Sequence, residues 1–183
     1  MSEGADPEIR AATAEDGSAV WRLVKASGVL DVNSSYAYLL FLDHFGGTSV
    51  VAEDESGEIV GFVTGFRPPR EPEAVFVWQV AVAESMRGRG LARRLLDALV
   101  RLPGCRGVRF MLTTVTPSNA PSQAMFRSFA RGVDAEVAVA PYFEEDHFPE
   151  GGHEPEELYR IGPFDTPRPG AGALSPRGGR GSG

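Results

Sequence analysis

Gln79-Val80-Ala81-Val82, followed three residues later by Met86-Arg87-Gly88-Arg89-Gly90-Leu91-Ala92, is the stretch that decides how this chain is read. A buried strand ends, a short turn follows, and glycines open a helix. Gly88 and Gly90 let the backbone come close to a ligand and bend where other residues would strain. The first amides of a helix have no internal partners and carry the positive end of its dipole, so a pyrophosphate fits there. Arg87, Arg89, Arg93 and Arg94 crowd into the same region, and Arg93 and Arg94 are expected to reach a further phosphate at the rim. A capped helix with a solvated basic face would show the same glycines. The strand ahead of them and the arginines favour phosphate. No G-x-x-x-x-G-K-[ST] occurs, which disfavours a P-loop nucleotide hydrolase. The third glycine of a dinucleotide fingerprint is absent, which disfavours a dehydrogenase.

Working outward, the residues before this stretch read as a strand at Ile9–Ala11 and a helix after Thr13, with Asp16 completing a capping box. Asn33 or Ser34 caps a second helix whose face is Tyr36, Leu39, Leu40, Asp43 and Phe45. Strands follow at Ser49–Glu53, Ile59–Phe66 and Ala74–Val82, the first two joined by a turn at Ser56-Gly57. Arg87 opens a helix to Arg101, with Leu91, Leu95 and Leu99 stacked at spacing four. Beyond it come a strand at Val108–Val115 and a helix over Asn119–Arg131 with Ala124, Met125, Phe126 and Phe129 inward. Strands Glu136–Ala140 and Glu157–Ile161 close the sheet. The expected architecture is α/β (α+β): a mixed, mostly antiparallel sheet flanked by helices, with one parallel step at the strand–helix–strand crossover.

The totals suit one domain over residues 1–164, followed by a Gly/Pro/Arg-rich tail over 165–183 expected to be disordered. The formal net charge is −7; the tail sets three arginines against one aspartate, so the body is more acidic still. An acidic body is a poor nucleic-acid binder and suits a cationic substrate. Cys105 stands alone, so no disulfide forms within the chain; it reads as a half-exposed residue of a turn. No apolar run is long enough to span a membrane, and Met1–Glu8 lacks the basic residues of a signal peptide. A cytoplasmic location is expected. The histidines and the cysteine lack metal-site spacing, so no metal is expected.

Arg87-x-x-Gly90-x-Ala92 after Val80-Ala81-Val82 resembles the acetyl-coenzyme A signature of the GNAT superfamily of N-acetyltransferases, and the element order agrees over about residues 8–163. The resemblance implies acetyl-coenzyme A held by Val80, Val82, Arg87, Gly88, Arg89, Gly90, Leu91 and Ala92, with Asn119 on the pantetheine arm. Further segments resemble the L-2,4-diaminobutyrate acetyltransferases of ectoine synthesis. They are Leu30–Leu40, Trp78–Val82, Gly90–Leu95, Thr116–Asn119 and His153–Glu156. That resemblance implies acetylation of the γ-amine of 2,4-diaminobutyrate, and a homodimer. Many superfamily members carry a tyrosine about ten residues after the Asn119 position, as acid toward the leaving thiolate. Phe126 and Phe129 occupy that stretch here, leaving Tyr142, Tyr38 or a water for the task.

Acyl transfer needs a neutral amine, a stabilised oxyanion and a leaving thiolate. A backbone amide near Val82 is the expected oxyanion donor, provided that the strands splay there. A diamine needs carboxylates. Asp31 reads as a helix N-terminal acid or, with the resemblance, as a substrate ligand; Glu156 reads as a surface carboxylate or the same. His153 is either exposed or a group that orients a carboxylate or passes a proton. Trp78 is either core or a flat shelter for an ammonium group. The catalytic candidates are therefore Asp31, Glu156, Tyr38 and His153, with Trp78 joining them in substrate binding. Two other readings stay open: a GNAT acetyltransferase for another small amine, and a non-catalytic coenzyme A-binding module.

Overall fold

The computed structural model describes residues 5–28, 30–149 and 151–165. The tail reading, over 165–183, falls outside the described residues except at Asp165. Strands β1 (Glu8–Ala11), β2 (Val50–Glu53), β3 (Ile59–Phe66), β4 (Ala74–Val82), β5 (Phe110–Val115), β6 (Val137–Phe143) and β7 (Glu156–Ile161) form one sheet in the order β1-β2-β3-β4-β5-β7-β6. Every neighbouring pair is antiparallel except β4 and β5. A parallel pair needs a crossover, and helix α3 (Leu91–Leu99) supplies it.

Alternation along the strands divides the core. Helices α1 (Gly17–Ser27) and α2 (Ser35–Phe45) bury Val20, Val24, Tyr38 and Leu42 against Val51, Phe62 and Ala81. On the other face α3 and α4 (Ala120–Gly132) bury Leu91, Leu95, Leu99, Phe126 and Phe129 against Val50, Ala52 and Val63. The sheet is thus covered on both sides. Its last strand, β6, is an edge with Val139, Tyr142 and Phe143 exposed.

The Thr13–Asp16 capping box forms, on a short 3-10 turn that leads into α1. Arg10 binds Asp16 at 2.8 Å and Glu53 at 2.9 Å, tying β1, this turn and β2 together. Ser34 caps α2 by accepting from Ala37 N at 3.2 Å.

Four expectations need correction. The buried side of α2 is Tyr38 and Leu42, whereas Tyr36, Leu39, Leu40 and Phe45 are exposed. That helix is apolar nearly all round, so periodicity does not choose its inner face. The crossover helix starts at Leu91, not Arg87, because Gly88 (φ 75°) and Gly90 (φ 72°) sit in the left-handed region, where a right-handed helix cannot begin. On α4, Ala124 is exposed and Ala130 takes the inward place. Cys105 is fully buried, and burial pushes its thiol up to about 12, which leaves it unreactive.

Candidate active site

Strands β4 and β5 pair only through Ala74–Phe76 and Phe110–Leu112. Beyond that they part: β4 stays on β3 up to Val82, while β5 stays on β7 up to Val115. A cavity of about 430 Å³ fills the opening, with Val77–Val80 on one wall and Thr113–Thr116 on the other. Ala83 N donates to Val60 O at 2.8 Å and Gln79 N to Thr64 Oγ1 at 3.2 Å, both toward β3. Amides alternate along a strand, so those of Val80 and Val82 face the opposite way, toward the gap. The splay expected near Val82 is therefore present.

The glycine loop lies between the end of β4 and α3. No heavy atom lies within 4 Å of where a Cβ would stand on Gly88 or Gly90, so the loop leaves open space on its outer side. Helix α3 then presents its first amides at Leu91 and Ala92. The Leu91 side chain is in the core, so only its backbone can meet a ligand. Arg87 and Arg89 are exposed and form no ion pair among the described residues. Arg93 does not reach outward as expected. Its Nε donates to both Asp97 oxygens at 3.0 Å, and its guanidinium lies 5.6 Å from the Phe129 ring centroid. Arg94 pairs with Asp6 at 2.9 Å. At the start of α4, Asn119 Oδ1 accepts from Ser122 N at 3.2 Å, which leaves its amide nitrogen free of that bond in the cavity wall. Free amides, open space and two unpaired arginines fit the pyrophosphate of coenzyme A.

Asp31, Trp78 and the His153–Glu156 segment come from three distant parts of the chain and line the same cavity. His153 Nε2 is 3.8 Å from Asp31 Oδ2 and 4.0 Å from Glu156 Oε1. His153 Nδ1 is 2.6 Å from Glu154 O. A carbonyl only accepts, so Nδ1 carries the proton and Nε2 faces the carboxylates. Phe148 stacks on the imidazole with centroids 3.8 Å apart. Burial raises the Glu156 carboxyl above its ordinary range, and Asp31 pushes the same way, against the Thr114 hydroxyl and His153. No Lys or Arg lines this end among the described residues.

Tyr38 is not in the cavity wall. It is fully buried, and its hydroxyl donates to Gln79 Oε1 at 2.9 Å. Tyr142, the other tyrosine considered as an acid, is exposed on β6 and also does not line the cavity. Sequence reasoning missed Gln79, although a polar side chain in a strand otherwise read as buried signals a need for partners. It also missed Glu154, whose carboxylate accepts from Ser118 N at 3.2 Å and from the Ser118 hydroxyl, tying the His153 loop to the start of α4. Among the described residues no cluster of His, Cys, Asp and Glu could hold a metal ion, and no helix is long and apolar enough to cross a membrane.

A splayed parallel pair followed by a glycine loop and a helix defines an acyl-coenzyme A transferase site, and the chain belongs to the acetyltransferase (GNAT) family, whose model matches residues 18–130. Within it, the chain is 51% identical over 152 residues to the L-2,4-diaminobutyric acid acetyltransferase of Marinococcus halophilus, covering 83% of this chain and 87% of that one. It is 47% identical over 163 residues to the protein of the same name from Streptomyces coelicolor, covering 88% and 96%. Among solved structures it resembles the diaminobutyrate acetyltransferase EctA of Paenibacillus lautus, in complex with its substrate L-2,4-diaminobutyric acid and coenzyme A. There the TM-score is 0.84 at 45% identity, covering 88% of this chain and 98% of that one.

Proposed function

We propose that this protein transfers the acetyl group of acetyl-coenzyme A to the γ-amine of L-2,4-diaminobutyrate, by direct attack in a ternary complex, giving the ectoine precursor. The observation that carries the reading is one cavity with the Val80 stretch of β4, unpaired toward β5, on one wall and the group of Asp31, Glu156 and His153 at one end. The named relatives support the choice of acceptor.

Bound acetyl-coenzyme A supplies the activated carbonyl. The protein supplies the rest. An alkyl ammonium has a pKa of about 10.4, so most of the acceptor arrives protonated. Glu156, made more basic by burial, takes that proton directly or through water. His153 holds its Nε2 between the two carboxylates and passes the proton on. Asp31 fixes the ammonium that does not react, and the face of Trp78 shelters it. The amides of Val80 and Val82 donate to the carbonyl oxygen as negative charge develops there. Phe126 and Phe129 are buried apolar groups that cannot donate, so a water relays the second proton of the attacking nitrogen to the leaving thiolate. Arg87 and Arg89, with the amides of the Gly88–Ala92 loop, hold the pyrophosphate, and Asn119 holds the pantetheine arm.

The enzyme works as a homodimer in the cytoplasm. The exposed apolar residues of α2 and β6 support association between copies. Steady-state kinetics of Asp31→Asn and Glu156→Gln test the acceptor end. Each raises KM for diaminobutyrate or lowers turnover by about tenfold or more, while acetyl-coenzyme A affinity stays put. Normal activity of both variants at low diaminobutyrate places the acceptor elsewhere and reopens the reading of a transferase for another amine.

A further inference from the structure

We infer that Gln79 is a positioning residue for the acceptor: oriented by Tyr38, it holds the segment that carries Asp31 over the cavity. The inference rests on the acceptor reading above. Asp31 lies between α1 and α2, where residues 30–34 belong to no helix or strand. Its side chain is 91% exposed, so packing does not place the carboxylate. Its backbone does. Gln79 Nε2 reaches up from β4 and donates to Asp31 O at 3.1 Å. A second tether, Trp21 Nε1 to Asn33 O at 3.1 Å, holds the far end of the same segment.

The direction of the Gln79 amide is determined from both ends. The Asp31 carbonyl only accepts, so the amide must turn its nitrogen toward it. The amide oxygen then faces Tyr38, whose hydroxyl donates to it at 2.9 Å. Gln79 is 7% exposed and Tyr38 fully buried, so water cannot substitute for the bond between them without a change of packing. The Tyr38 ring also stacks on Trp78, with centroids 5.8 Å apart and planes at 20°. A buried rod thus runs from α2 through β4 to the Asp31 segment. It brings the carboxylate to 3.8 Å from His153 Nε2.

Two variants test this. Gln79→Glu keeps the shape of the side chain but sets a carboxylate oxygen against the Asp31 carbonyl. Tyr38→Phe keeps the ring and removes the donor. We expect KM for diaminobutyrate to rise about tenfold in the first and about threefold in the second, with kcat at saturating acceptor and acetyl-coenzyme A affinity within about twofold of wild type. The double variant should be no worse than Gln79→Glu alone, since both act on one tether. A merely structural role would lower turnover, cofactor affinity and melting temperature together. If Gln79→Glu does not fold, Tyr38→Phe decides alone. Wild-type turnover of diaminobutyrate with unchanged KM in the folded variants overturns this inference and leaves the acceptor reading standing. No wild-type turnover of diaminobutyrate overturns both.

Discussion

At the scale of single residues, Glu156 couples the proposed reaction to stability, because burial raises its carboxyl pKa. A carboxyl whose folded pKa is raised favours its protonated form in the native state. Its contribution to stability is present at low pH and is lost as pH rises through the folded value. At neutral pH the buried charge therefore works against folding while it serves the reaction. Glu156→Gln should melt at the same temperature as wild type or higher, yet lose turnover by about tenfold or more. The acid limb of kcat/KM for wild type should lie above the ordinary carboxylate pKa of about 4.3, and the variant should lack that limb. A parallel loss of melting temperature and activity would contradict the assignment of Glu156 as base. Its location in the sequence was legible through the His153–Glu156 segment. Its burial was not, because burial depends on β7 lying between β5 and β6, a pairing that no local pattern encodes.

At the scale of elements, the glycine loop and the β1–α1 corner make separate predictions. Gly90 sits at φ 72°, so a valine there would strain the backbone as well as fill the cofactor space, and the two effects would be confounded. Asparagine tolerates the left-handed region better than other non-glycine residues. Gly90→Asn should fold with little change in melting temperature and lose about tenfold or more in acetyl-coenzyme A affinity by calorimetry. Unchanged affinity in the folded variant would count against the loop as the pyrophosphate site. At the corner, burial raises the Asp16 carboxyl, but hydrogen bonds from Arg10 and Thr13 outweigh it, and the net shift is downward. Its stabilisation is present above the unfolded carboxylate value of about 3.9 and is lost as pH falls through the lower folded one. Asp16→Ala leaves Arg10 with one carboxylate partner, Glu53, and should cost about 3 kcal/mol in denaturant unfolding at neutral pH, and less in acid. Elements of this kind were readable: the strands Ile59–Phe66 and Ala74–Val82 and the Thr13–Asp16 box stand where alternation and capping chemistry put them. Helix α3 begins later than its propensity suggests, because backbone φ at Gly88 and Gly90 overrides the helix preference of arginine.

At the scale of the whole molecule, two apolar faces are exposed among the described residues. One is the outer side of α2, with Tyr36, Leu39 and Leu40; the other is the edge strand β6, with Val139, Tyr142 and Phe143. A strand exposed along an edge is a template for pairing. Sedimentation equilibrium should therefore give about twice the 19.6 kDa mass of one chain. A lysine at Val139, Tyr142 or Phe143 that leaves the mass at the dimer value would remove β6 from the interface. The fold class was legible because the strand–glycine–helix order and the meander before it allow few topologies. The cavity was legible only as a set of separate segments: Asp31, Trp78 and Glu156 are distant in the chain, and the splay of β4 from β5 brings them together. Purified protein is given acetyl-coenzyme A and L-2,4-diaminobutyrate, and the product is read by NMR. Stoichiometric release of coenzyme A and a single product acetylated on the γ-nitrogen are expected; acetylation on the α-nitrogen, or no transfer to diaminobutyrate, would contradict the proposed reaction.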